Sequence, residues 1–89
     1  KMNKFISSTF NNTVVELDGN HFEKCVFENC EIVYKGLQPF NLINCNFIAC
    51  KWKLEGAASN TINFLKIMYK DMGEFGKKMV EATFENIKK

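Results

Sequence analysis

Eighty-nine residues with 12 basic and 10 acidic side chains, a formal net charge of +2, make one small domain near the lower limit at which a core holds without staples or partners. Hydrophobic residues are 46% of the chain, with nine phenylalanines and one proline, which excludes a disordered chain. The near-balanced charge excludes nucleic-acid binding driven by charge alone.

Ser7, Ser8, Asn11 and Asn12 break up the first twenty residues, which hold no apolar run of the length a signal peptide or membrane span needs. Met2 has the look of an initiator with Lys1 added before it, and the expected compartment is the cytoplasm. Residues 1–19 are expected to form an N-terminal strand or cap. Phe5, Phe10 and Val15 are already five apart, and Asp18-Gly19-Asn20 is a turn signal.

The stretch 20–56 contains one pattern twice: Phe22, Cys25, Phe27, Cys30, Ile32, Gly36, then Leu42, Cys45, Phe47, Cys50, Trp52, Gly56, twenty residues later. Counting in fives gives Leu17, Phe22, Phe27, Ile32, Leu37, Leu42, Phe47 and Trp52, all large and apolar. A period of five belongs neither to an α-helix nor to a flat strand. Repetition on this scale indicates stacked structural units.

On these residues the chain resembles the pentapeptide-repeat family, whose five-residue units form a right-handed, square-sectioned parallel β-helix with four units per turn. It also resembles small bacterial and phage proteins in which an FxxCxFxxC pattern (Phe22–Cys30) precedes a GAAxNT segment (Gly56–Thr61). The resemblance implies a fold and no activity. It turns the central residue of each unit inward together with the residue two before it, so the expected core is Phe22, Cys25, Phe27, Cys30, Ile32, Leu42, Cys45, Phe47, Cys50 and Trp52. With twenty residues per turn, Cys25 stacks on Cys45 and Cys30 on Cys50 at one strand spacing, about 4.8 Å. Gly36–Pro39 has the composition of a segment that loops out. Val33, Tyr34, Ile43, Ile48, Lys51, Lys53 and Leu54 are expected to face outward, forming a candidate interaction surface.

Residues 57–89 change character. Ile62, Leu65, Tyr69 and Met72 recur at helical spacing beside Phe64 and Met68, and Phe75, Met79, Val80, Thr83, Phe84 and Ile87 form a second helical stripe. Ser59 or Asn60 is the expected N-cap and Gly73 the stop. The expected architecture is thus mainly β with C-terminal α: a short right-handed quadrilateral parallel β-helix of two to three coils, followed by a two-helix hairpin that packs on or caps it, all within one domain.

The cysteine spacing, C-x4-C twice, suits buried reduced thiols better than structural zinc, whose ligand pairs usually sit closer on tight turns. A metal or thiol site stands as an alternative. His21 has no identifiable nucleophile partner, and Glu23 and Glu28 recur at solvent-facing positions. Lys51-Trp52-Lys53 resembles basic sequence interleaved with an aromatic for single-stranded nucleic acid, but an inward Trp52 could not stack on a base. The leading expectation is a non-enzymatic interaction module without cofactor, a homo-oligomer and most simply a dimer, with an unknown protein partner, no membrane and no nucleic acid. The alternative is a phage-type sequestering protein that binds a small anion or nucleotide between subunits through Lys51, Lys53, Tyr34 or helix lysines.

Overall fold

A computed structural model of the chain describes residues 2–89. The described residues form nine short strands, β1 (Asn3–Ile6), β2 (Thr9–Asn11), β3 (Val14–Glu16), β4 (Asn20–Glu23), β5 (Val26–Glu28), β6 (Glu31–Tyr34), β7 (Asn41–Ile43), β8 (Asn46–Ile48) and β9 (Lys51–Leu54), then helices α1 (Gly56–Asp71) and α2 (Gly73–Ile87). The strands assemble into three parallel sheets ordered β1-β4-β7, β2-β5-β8 and β3-β6-β9. Each run of three consecutive strands is therefore one turn of a parallel coil, and the N-terminal segment supplies the whole first turn.

The five-residue spacing sets the inward columns. Phe5, Phe22 and Leu42 align across the first sheet, Phe10, Phe27 and Phe47 across the second, and Val15, Ile32 and Trp52 across the third. Strands this short must be separated by sharp corners, and left-handed residues make them. Ser7, Lys24 and Asn44 follow the strands of the first sheet, and Asn12, Asn29 and Ala49 those of the second, all with φ between 52° and 56°. A left-handed non-glycine residue costs about 1–2 kcal/mol, least for Asn, and each corner here is held by the ladder on either side of it.

Three sheets stand where a quadrilateral coil calls for four walls. Gly19, Gly36 and Gly56, all at positive φ, form the third corner, and from Gly19 the chain passes straight into β4. The first and second turns are accordingly offset by seventeen residues (Phe5 opposite Phe22) and the second and third by twenty (Phe22 opposite Leu42). The difference is Leu37–Pro39, which loops out beyond Gly36. Leu37, placed inward by the count of five, is instead 70% exposed. Asp18 anchors this loop: Oδ1 accepts the Lys35 N–H at 2.8 Å, and Oδ2 accepts those of Leu37 at 2.7 Å and Gln38 at 3.1 Å. Desolvation pushes the Asp18 carboxyl up, but the backbone donors outweigh it and hold the group below its ordinary value.

The core lies in the second turn. Phe22, Cys25, Phe27, Cys30 and Ile32 are buried with Val15 and Leu17, while Phe5, Phe10, Leu42, Cys45, Phe47 and Cys50 pack against them half-buried. Phenyl rings stack along the columns, Phe10 on Phe27 at 5.2 Å and Phe27 on Phe47 at 4.9 Å, and meet edge-on between walls, Phe22 to Phe27 at 5.2 Å. Full burial of each such ring contributes about 1.5–3 kcal/mol. Trp52 corrects the expected core: it is in register over Ile32 but 57% exposed, because β9 is the last strand of its sheet. Its ring tilts onto Phe47 at 5.2 Å.

α1 starts at Gly56, directly after the third corner, so Ser59 and Asn60 lie inside the helix and neither is its N-cap. The helices break at Met72, one residue before the expected stop, and Gly73 at φ +59° opens α2. At Gly76 a side chain would run into the Met68 carbonyl and the Met72 side chain, so only glycine lets α2 leave α1 this closely. The chain divides into two compact units, the coil as far as Ala58 and the helical segment Ser59–Lys89. Among the described residues no helix is long and apolar enough to cross a membrane.

Candidate interaction surfaces

The cysteines belong to the architecture. Each thiol sits two residues after a carbonyl of its own turn and beside a phenylalanine carbonyl of the turn before. Cys25 Sγ–H is shared between Glu23 O at 3.5 Å and Phe5 O at 3.4 Å, and Cys30 Sγ–H between Glu28 O at 3.4 Å and Phe10 O at 3.3 Å. Cys45 and Cys50 repeat this one turn later with Phe22 O at 3.4 Å and Phe27 O at 3.2 Å. All four thiols are free. These weak bonds give a small side chain both a packing and a polar role at the corner.

Of the residues expected outward, the structure exposes most but not all. Val33 is only 4% exposed; it lies between Glu16 and Lys53 in the sheet, whose long outward side chains flank it. Tyr34 turns toward the core and meets Phe40 edge-on at 5.2 Å. The reason is strand length. β6 runs four residues, so simple alternation carries Tyr34 to the same face as Ile32, whereas the count of five places a corner before it. Val33 and Tyr34 therefore leave the candidate surface. Ile43, Ile48 and Leu54 are exposed, as are Lys51 and Lys53.

Two of the coil's lysines are in ion pairs and a third faces an acidic residue in strand register. Lys51 lies opposite Glu31 in the sheet, Lys53 Nζ reaches Glu55 at 3.2 Å, and Lys35 Nζ reaches Glu16 at 2.9 Å. Within one chain, Tyr34 does not join Lys51 and Lys53 to line an anion site, since it faces the other side of the sheet. His21 is similarly occupied: Asn41 Nδ2–H points to its Nδ1 at 3.2 Å, leaving Nε2–H for the Glu23 carboxylate at 3.3 Å. With Trp52 exposed, the steric argument against base stacking no longer holds, but the near-balanced charge still opposes nucleic-acid binding.

The most open apolar surface is in the helical segment. Ile62, Leu65 and Tyr69 of α1 and Val80 and Phe84 of α2 line a groove of about 250 Å3, with Lys66 and Lys70 along its edge. Lys77 Nζ lies 6.0 Å from the Tyr69 ring centroid, within range of a cation–π attraction. Phe64, Ile67, Phe75, Met79 and Ile87 are exposed as well. Among the described residues of Ser59–Lys89, Met68 and Gly76 are the ones buried. The sequence signal for this was present: Phe64 and Ile67 fall off the Ile62–Leu65–Tyr69 stripe, giving α1 more apolar surface than one partner helix covers.

The chain matches no protein-family profile, no curated protein sequence and no solved structure.

Proposed function

We propose that this protein is a non-enzymatic self-associating module, a pentapeptide-repeat-like coil of the right-handed kind that pairs with a second copy through its helical segment and presents the coil to a protein partner. The observation that carries the reading is the exposed helical face. Helices of 16 and 15 residues are marginal on their own in water, and nine large apolar side chains between Ile62 and Ile87 are exposed. At roughly 100 Å2 apiece, the seven that remain when Phe64 and Ile67, off the groove face, are set aside present about 700 Å2, a little under the roughly 800 Å2 per partner of a standard interface. A second copy covers like with like, α1 and α2 of each chain closing the other's groove in a four-helix arrangement.

Light scattering coupled to size exclusion tests this directly. At low micromolar concentration the wild-type chain should elute as a dimer and the Phe84→Glu or Ile62→Glu chain as a monomer, with coil unfolding unchanged. A wild-type chain that stays monomeric at tens of micromolar overturns the reading. A second reading is favoured by Lys66 and Lys70 at the groove edge: a ligand with an apolar body and an anionic head would seat between the helices, and its binding would survive in a monomer.

A further inference from the structure

The coil ends offer a second, independent surface. Each sheet has two edges, β1, β2 and β3 at one end of the coil and β7, β8 and β9 at the other, and a strand edge with unsatisfied N–H and C=O groups is a template for another strand. We propose that the two ends are complementary and that copies of this chain stack head to tail, the β7–β9 end of one on the β1–β3 end of the next, so that the three parallel sheets run on across the junction.

The side chains of the two ends fit because they occupy the same columns. Inside, Phe5 of the incoming copy falls over Leu42, Phe10 over Phe47 and Val15 over Trp52, as the register within the chain dictates. Phe10 on Phe47 repeats a phenyl stack that the chain already makes at 5.2 Å and 4.9 Å. Trp52, the most exposed residue of its column, becomes an interior rung. The central inward positions on either end are apolar, and the positions two before them are the uncharged Ser8 and Thr13 at one end and Cys45 and Cys50 at the other, so no charge guards the opening.

Outside, two pairings point the same way. Ile6 and Ile43 belong to one outward column with Glu23 between them, and both are exposed at opposite ends; stacking makes them cross-strand neighbours. Glu16 and Lys53 belong to another, with Val33 between them. Within the chain these opposite charges are two rungs apart, Glu16 paired with Lys35 and Lys53 with Glu55, but across a junction they are adjacent and join the two pairs into one alternating network. A pairing of like ends would need antiparallel contacts, which no sheet of this coil contains. A head-to-tail contact does not close on itself, so it produces rods whose length grows with concentration.

The test uses the full chain carrying Phe84→Glu, which removes the helical contact, and reads weight-average mass by sedimentation. The mass of this chain, that of a monomer at low micromolar concentration, should rise steadily as it is concentrated towards the millimolar range. Adding Glu16→Lys, or instead Lys53→Glu, should raise the concentration needed for association about tenfold by setting like charges together at the junction. Both sites are exposed, and an unchanged unfolding midpoint checks that the fold persists. Mixing the two variants should restore association, because the altered end of each then faces an opposite charge. A constant mass in the Phe84→Glu chain overturns the proposal, and so do single variants that associate like their parent or a mixture no heavier than its components.

Discussion

The second turn of the coil and the helical segment are both rich in large apolar residues, yet one is closed and the other open. Phe22, Phe27 and Ile32 have a rung on each side and are at most 1% exposed, whereas Phe64, Phe75 and Phe84 lie largely in solvent. Residue type does not separate them; neighbours do. The same contrast runs within a column: Ile32 is fully buried and Trp52, one rung further, is 57% exposed. Burial in this molecule follows the neighbouring rungs closely at the last turn but less so at the first, where Val15, at the other end of the same column, is only 6% exposed; the exposed places are where assembly is to be sought.

The sharpest break of that contrast comes from truncating a ring in each setting. Phe27→Ala removes a side chain stacked on two others and should cost about 3–5 kcal/mol, enough to unfold much of a protein of this size. Trp52→Ala, in the neighbouring column, should cost about 1 kcal/mol or less in the isolated chain because little of the ring is desolvated. Urea unfolding of the two variants measures the difference, and equal losses would mean that Trp52 is buried in solution by a partner. Gly76→Ala probes the helical side. With no room beside the Met68 carbonyl, the helices must shift, at about 1–3 kcal/mol; the expected outcome is loss of dimer by light scattering with coil unfolding unaltered.

The smallest expected effect concerns pH. Asp18 sits below its ordinary value of 3.8 in the folded chain, so the unfolded chain takes up this proton first as the medium is acidified. Its contribution is complete above the unfolded value, in the region of pH 4, and is lost as pH falls through the folded one. Asp18→Asn should flatten that acid limb of the stability profile and lower stability at neutral pH by about 1 kcal/mol, discounted for partial exposure. Thermal melts from pH 2 to 7 would show it; an unchanged acid limb would assign the loop's hold to other contacts.

Much of this fold was legible because a column of inward residues leaves a periodic trace. Phe22, Phe27, Leu42 and Phe47 announced their columns, whereas Phe5, Phe10 and Val15, only three residues five apart, left open whether the N-terminal segment was a cap or part of the coil, of which it is the whole first turn. A break beside Gly73 was legible from backbone chemistry, although it falls at Met72 and Gly73 itself begins α2. The number of walls was not, because the third corner carries no inward column of its own, and Leu17 and Leu37 completed the count of five by coincidence. Leu17 is buried as an extension of β3, hydrogen-bonded to Val33 O at 2.9 Å, and Leu37 is in the loop. Of the candidate surface, Ile43, Ile48, Lys51 and Lys53 are exposed; Leu54 is exposed too, but in Tyr34's column on the last rung, and Tyr34 itself turns inward because its strand runs one residue past the expected corner. Whether a residue lies on the first, middle or last rung is a property of the whole stack, so the exposure of Trp52 could not be read locally.

The third corner has a consequence for how such a chain can change. Residues added at Ser7 or Asn12, or at their successors one and two turns on, would push every later inward side chain out of phase with the turn beneath. Residues added after Gly19, Gly36 or Gly56 leave the next strand free to start afresh. The chain already shows three versions of this seam: direct passage into β4, a loop tethered by Asp18, and a departure into α1. Variation in length, whether by natural insertion or by a grafted peptide, is confined by the geometry to that one line down the side of the coil.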